Sequence, residues 1–229
     1  MVYARQQGGV TPPAAAPVRR QTIKNRILDI PSRISDAPGA VELVRIWTNT
    51  KTHWITLNLP GKWRDAQLAE LVCNTIHVTA RVMAPRTGID EKTFATAIYQ
   101  TLFDQARTSE QIEDFYEKAV KIDAGHAQKP EIRQAVKKNM AVIPLADHEN
   151  SDAFEVMRIW HLGKSQEVSF RAGFFDDIGN CASVIKSLIV YMANALYQRE
   201  LKPSRVAAEE DLRTAIAHKW QQPRQSIEA

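Results

Sequence analysis

The sequence has little of what usually marks a metalloprotein, a disulfide-rich domain or a familiar enzyme. Only 2 Cys and 9 Gly occur among its 229 residues, and Cys73 and Cys181 belong to no C-x-x-C pair. This excludes a disulfide framework and a cysteine-based zinc site, and both thiols lie in apolar stretches where burial is usual. No Gly-rich phosphate loop, G-x-S-x-G turn or H-E-x-x-H motif is present. We therefore expect no metal and no cofactor, and we favour a non-enzymatic protein.

Long hydrophobic runs are also missing. The most apolar stretch, residues 187–197, is about half of what a membrane-spanning helix needs. The N-terminal residues are interrupted by Gly and Pro, so they lack the continuous apolar core of a secretory signal. From these two absences we expect a cytoplasmic protein that does not associate with a membrane.

Excess charge of either sign is scarce outside the N-terminal region. The formal net charge is +4, and residues 1–35 hold six basic side chains against the single Asp29, so the rest of the chain is close to balance. Such a basic segment could bind nucleic-acid phosphates, or it could simply be a solvated segment. The residues of this basic patch are Arg19, Arg20, Lys24 and Arg26.

What the sequence does contain is an internal repeat. Glu42-Leu-Val-Arg-Ile-Trp47 recurs 113 positions further on as Glu155-Val-Met-Arg-Ile-Trp160, and the flanking identities keep the same order. This order predicts a tandem duplication with five parts: a flexible N-terminal tail at 1–16, a first repeat at 17–103, a helical insert or linker at 104–129, a second repeat at 130–221 and a C-terminal tail at 222–229.

Each repeat is predicted to form a helix, a β-hairpin and two further helices. The first helix begins at Pro17 or Pro130, and the hairpin begins with the E-x-x-R-I-W strand. Asp65 and Asp177 are expected to be N-caps of a long amphipathic helix. Its apolar stripe is formed by Leu68, Leu71, Val72 and Ile76 in the first repeat and by Ile178, Cys181, Ile185, Leu188 and Met192 in the second.

The duplication itself suggests how the hairpins are stabilised. A lone two-stranded hairpin is marginal in water and has two open edges. Pairing the two hairpins edge to edge gives an α+β fold with one four-stranded antiparallel sheet, covered by helices and related by a pseudo-two-fold axis. Two independent hairpin domains on a flexible linker are the alternative arrangement.

The E-x-x-R-I-W strand, its preceding Ile-Pro loop and its following capped helix resemble a small family of alphaproteobacterial domains of unknown function. The second repeat carries this resemblance best, in Ile143-Pro-Leu and in Ala153 to Trp160 followed by Arg171-Ala-Gly-Phe-Phe-Asp-Asp177. The first repeat departs from it at Asn58-Leu-Pro-Gly-Lys-Trp63. The resemblance implies a bacterial, cytoplasmic setting and no particular activity.

The polar residues that stand out are the repeated arginines of the hairpins. Arg45 and Arg158 each precede a tryptophan, Trp47 or Trp160, by two positions, and a guanidinium in an apolar strand needs a carboxylate or an aromatic face. Two interpretations are open. The Arg–Trp pairs could hold an anionic ligand or an acidic side chain of a partner, or each Arg could stack on Trp and bridge to an acid across the sheet.

The preferred hypothesis for function is a protein-interaction or assembly scaffold with an unidentified protein partner. Aromatic residues at the start of the long helices, Trp63, Phe174 and Phe175, are candidate exposed contact points. Two alternatives remain: a nucleic-acid-binding protein that uses the basic segment 17–35, and a ligand sensor or enzyme with a pocket where the repeats meet.

Overall fold

The computed structural model of the chain describes residues 28–35, 37, 39–49, 53–104, 153–163 and 165–222. These residues form an α+β fold, as predicted. The strands are β1 (Val41–Thr48), β2 (His53–Leu57), β3 (Phe154–Leu162) and β4 (Ser165–Phe170). The helices are α1 (Ser32–Ser35), α2 (Asp65–Thr87), α3 (Glu91–Phe103), α4 (Ile178–Gln198) and α5 (Arg205–Gln221), and a 3₁₀ turn spans Ala172–Phe174.

The four strands form one antiparallel sheet in the order β2-β1-β3-β4. Each hairpin places its first strand at the centre, and β1 pairs with β3. The edge-to-edge joining of the hairpins is therefore confirmed, and the hairpins are not separate units. This pairing leaves only β2 and β4 as edge strands of the described sheet.

The central β1–β3 pair contains two β-bulges. Leu43 is an extra residue on β1, since its neighbours Glu42 and Val44 pair with consecutive residues of β3. Val156 is likewise an extra residue on β3, since its neighbours Glu155 and Met157 pair with the consecutive residues Trp47 and Ile46 of β1. An extra residue reverses the alternation of side chains beyond it. Glu42 and Arg45, three positions apart, therefore lie on one face of the sheet instead of on opposite faces.

The helices cover the other face of the sheet and enclose the core. Leu43, Val44 and Ile46 of β1 join this core together with residues from α2 to α5. Helices α2 and α4 each pack against both α3 and α5. The predicted stripes of α2 and α4 are buried apart from Ile178, which is partly buried against the core. No helix within the described ranges is long and apolar enough to cross a bilayer.

The two long helices begin differently. Asp177 is the N-cap of α4, as predicted, and its carboxylate accepts a hydrogen bond from the Asn180 N–H at 2.7 Å. The prediction for Asp65 is wrong, because Arg64 is the N-cap of α2 and its N–H donates to Gln67 Oε1 at 3.0 Å. The Asp65 carboxylate instead accepts from Lys202 Nζ at 2.6 Å.

The segment before β1 also differs from its predicted form. The sequence predicts only one helix before the hairpin, and the structure has the single-turn helix α1 after Pro31, whose Ile34 and Ser35 N–H groups donate to Pro31 O. The turn forms because Ile34 can bury against Trp160 and Ala40. The predicted helices that begin at Pro17 and Pro130, and the one in the insert 104–129, lie outside the described residues.

Candidate functional site

The repeated arginines meet at the centre of the sheet. Arg45 and Arg158 are paired directly opposite each other on β1 and β3. Both side chains lie on the face that points away from the helical core, together with Glu42 and Glu155. The exposed fractions are 2% for Arg45, 1% for Arg158 and 0% for each glutamate. We call these four residues the charge cluster.

Within the charge cluster, Glu42 is bound by both arginines. Arg45 donates from Nε to Glu42 Oε1 at 3.1 Å and from Nη2 to Oε2 at 2.9 Å, and Arg158 Nε donates to Oε1 at 2.7 Å. Glu155 is held less closely, since its Oε1 lies 3.2 Å from Arg45 Nε and 3.7 Å from Arg158 Nε. Two carboxylates thus face two guanidinium groups, which offsets part of the cost of burying four charges.

Glu155 and Arg158 each also bind the main chain of the N-terminal segment through one further atom. Glu155 Oε2 accepts from the Leu28 N–H at 2.7 Å, and Arg158 Nη1 donates to Leu28 O at 2.9 Å. The same segment is held by a hydrogen bond from Ser169 Oγ to Asp29 O at 3.1 Å. We call residues 28–35 the strap, because they lie across the outer face of β3 and β4.

The two tryptophans lie in separate apolar clusters beside the charges. The Arg158 guanidinium is 4.8 Å from the centroid of the Trp160 ring, and Trp160 packs with Ile34 and Ala40. Trp47 packs with Ala153 and Trp54. Arg158 therefore stacks on its tryptophan and bridges to an acid across the sheet, which is the geometry of the second interpretation offered above.

Burial has opposite effects on the carboxyl and imidazole groups of this sheet. It raises the pKa of Glu155 to about 7, an increase that Arg45 and Arg158 limit by favouring the ionised form. It lowers the pKa of His53, whose Nδ1 lies 2.8 Å from Ser187 Oγ.

Burial also raises the pKa of Cys73 and of Cys181 to about 12, so both thiols stay protonated at neutral pH.

The other predicted contact residues have different environments. The basic patch of Arg19, Arg20, Lys24 and Arg26 lies outside the described residues. Phe175 was expected to be exposed, and this is wrong: it is 3% exposed and its ring stacks on Phe170 at 4.2 Å. Trp63 and Phe174 are partly buried against the core. These rings fill the space where a strand turns into a helix.

The sequence alone does not predict that each glutamate is the partner of the nearby arginine. A Glu and an Arg three positions apart in a strand are expected on opposite faces, so E-x-x-R does not predict an ion pair. Only the bulges at Leu43 and Val156 bring each Glu beside its Arg. The contribution of the strap could not be found from the sequence, because Leu28 takes part through its main chain alone.

Comparison with known families adds one match. Residues 141–224 match a family model described as a domain of unknown function, DUF5076. This segment includes β3, β4, α4 and α5, and it contains most of the residues that carry the predicted resemblance to a domain of unknown function. No curated protein and no solved structure matches the chain.

Proposed function

We propose that this chain is a duplicated, internally paired scaffold that acts without catalysis, by binding a protein partner. The observation that carries this proposal is the state of the two repeated arginines. Their guanidinium groups are buried and bound by the carboxyl groups of Glu42 and Glu155. Such arginines stabilise the centre of the sheet, and an incoming anionic substrate would have to compete with two carboxylates for them.

The duplication is supported by irregular features that recur at the offset of the sequence repeat. The Asn58 N–H donates to the carbonyl of the bulge residue Leu43 at 2.8 Å, and the Arg171 N–H donates to that of Val156 at 2.9 Å. The Asn58 side chain also donates to Glu42 O at 3.2 Å, and the Arg171 side chain to Glu155 O at 2.8 Å. Each member of these pairs is 113 positions from its counterpart, a coincidence that an unrelated pair of hairpins would not produce.

Each half of the chain also contacts the other through an outer strand and a long helix. His53 on β2 contacts Ser187 on α4 at 2.8 Å, and Gln166 on β4 contacts Thr75 Oγ1 on α2 at 3.3 Å. The outer strand of each hairpin is thus bonded to the long helix of the other half. This exchange supports a pseudo-two-fold arrangement of the proposed repeats 17–103 and 130–221, in which neither half has a complete core alone.

A fused scaffold of this kind is suited to holding a partner in a fixed orientation. Its two halves share one sheet and one core, so any binding surface on it is rigid and costs little conformational entropy to present.

We place the protein in the bacterial cytoplasm, in line with the resemblance of its second repeat and the absence of cysteine pairs.

The paired scaffold is tested by cutting the full-length chain between its halves. A protease site is inserted into residues 104–129, and the matched control carries the site in residues 222–229. After cleavage, the protein cut within residues 104–129 should still elute in size-exclusion chromatography as one particle of about 25.8 kDa. It should also unfold in one transition, as the control does. Separation of the two fragments without denaturant would contradict the pairing.

The interaction role needs a separate experiment. The tagged chain is used as bait in an extract of its source bacterium, and bound proteins are quantified against a bait unfolded by substitution of Arg158. A partner in stoichiometric amount, bound by the folded bait alone, is the expected result. Hydrolysis or conversion of a metabolite in the same extract that depends on the folded chain would instead favour an enzyme.

A further inference from the structure

We propose that the outer face of β3 and β4 is a binding site for an extended peptide segment of a partner protein, and that the strap occupies this site as a displaceable internal ligand. The inference rests on the proposed interaction role and names the surface and the ligand chemistry for it. The strap shows what the face recognises, because its non-helical residues 28–31, which precede α1, are bound there through main-chain groups.

The recognition is directed at main-chain groups. One residue, Leu28, has its N–H bound by Glu155 and its carbonyl bound by Arg158, and the next carbonyl accepts from Ser169 Oγ. Contacts of this type hold any residue with a free amide N–H, because they do not depend on its side chain. Side-chain selectivity comes from two further contacts: Ile34 packs against Trp160, and Arg33 pairs with Glu167 at 3.4 Å.

The strap is an imperfect ligand for this face. Among the described residues, Arg158 Nη2 and Trp160 Nε1 are buried donors without an acceptor. A buried donor left without an acceptor destabilises the bound state, because it has lost its hydrogen bonds to water without gaining another. A partner segment that offers a carbonyl, amide or carboxylate oxygen to these two donors would therefore bind with a free-energy advantage over the strap.

The strap also has the features of a segment that opens locally. Its Arg33 side chain is 75% exposed and Ile30 is 39% exposed. Between the strap and β1 lies Gly39, whose φ of 93° is a conformation that other residues rarely adopt. Ile34 is the one buried side chain in residues 28–35, and such sparse burial lowers the cost of local opening relative to global unfolding.

The test uses the full-length chain and a fluorescent synthetic peptide with the sequence of residues 26–37. Leu28→Pro removes the N–H that Glu155 binds and so weakens the internal strap. The peptide should bind the L28P protein at least about tenfold more tightly than the wild type, whose own strap competes at high effective concentration. A peptide that carries the same Leu28→Pro change should not bind, and Glu155→Gln in the L28P protein should weaken binding.

Strap release is measured in the same samples by limited trypsin digestion, with cleavage after Arg33 identified by mass. The L28P protein should be cut faster there while its helical circular dichroism and unfolding midpoint stay close to the wild type. An unchanged cleavage rate, global unfolding, or cleavage without peptide binding would each overturn the proposal. A wild-type dimer that L28P loses would assign the face to a second copy of this chain and would also overturn it.

These outcomes are separate from the test of the paired scaffold. A cleaved chain that stays together supports the fused sheet whether or not the peptide binds. Conversely, loss of peptide binding leaves the proposed interaction role intact and removes only this surface from it.

Discussion

The two E-x-x-R-I-W strands have nearly the same sequence, yet their glutamates have different surroundings. Glu42 accepts three hydrogen bonds from the two arginines, whereas Glu155 has longer contacts with them and accepts instead from the Leu28 N–H. Both residues are fully buried. The difference arises because the strap lies beside Glu155, and it shows that a repeated motif does not imply a repeated electrostatic environment.

The largest expected effect comes from breaking the charge cluster. Arg158→Ala should lower the free energy of unfolding by about 3–5 kcal/mol, because it leaves Glu42 and Glu155 buried with one guanidinium between them. Urea denaturation followed by circular dichroism measures the loss.

The matched control replaces all four cluster residues by apolar residues of similar size. This variant should be much less destabilised than Arg158→Ala, since it removes the buried charges along with their partners. If Arg158→Ala were as stable as the wild type, the cluster would not hold the centre of the sheet together.

The second prediction compares the two glutamates directly. Glu42→Gln should cost more stability than Glu155→Gln at about pH 8, above the pKa of Glu155 of about 7, because Glu42 accepts more charged hydrogen bonds. The loss for Glu42→Gln should be about 2–3 kcal/mol. Equal losses would mean that the asymmetry of the cluster has no energetic consequence.

The third prediction concerns pH. The pKa of Glu155 is about 7 in the folded chain against an ordinary value of 4.5, so the folded state retains a proton that the unfolded chain has lost between these values. The stability contributed by this proton is present at low pH and is lost as the pH rises towards 7. The free energy of unfolding of the wild type, relative to Glu155→Gln, should therefore fall from about pH 5 to 7. A difference that stays constant or rises would contradict the raised pKa.

The smallest effects are expected at the ends of the long helices. Helix α2 is followed by its C-cap Gly88, with φ of 72°, whereas the left-handed residue after α4 is Glu200, two positions beyond Gln198, with φ of 58°. Gly88→Ala should cost about 1 kcal/mol through backbone strain alone, since an added Cβ has open space there. Glu200→Gly should stabilise by about 0.5–1 kcal/mol. Thermal unfolding of the two variants measures both shifts, and shifts of the same sign would contradict the comparison.

Much of the fold could be predicted because its signals are local. The alternation of Ile55, Leu57 and Leu59 predicts a strand, and the stripe from Leu68 to Ile76 predicts a buried helix face. The joining of the hairpins followed from a physical argument about exposed edges. The start of α2 was missed, since the carboxylate of Asp65 is bound by Lys202, a residue remote in sequence.

The candidate site was predictable only in part. Arg45 and Arg158 stand out as charges in apolar strands, which is a sequence property. Glu42 and Glu155 could not be recognised as the partners of these arginines, because the bulges at Leu43 and Val156 depend on how β1 and β3 align. The exposure of Phe175 was wrongly predicted, as its burial depends on Phe170 and the turn that follows β4.

The sequence by itself determined the order of strands and helices, their buried faces and the recurrence of the E-x-x-R-I-W strand, because these depend on residue type and spacing. Tertiary structure decided that the hairpins join through β1 and β3, that the two arginines face each other, and that Glu155 rather than Glu42 binds the strap. The physical reason is that a buried charge is stabilised by whichever groups surround it, and those groups come from Leu28, β1 and β3, which are distant in the sequence.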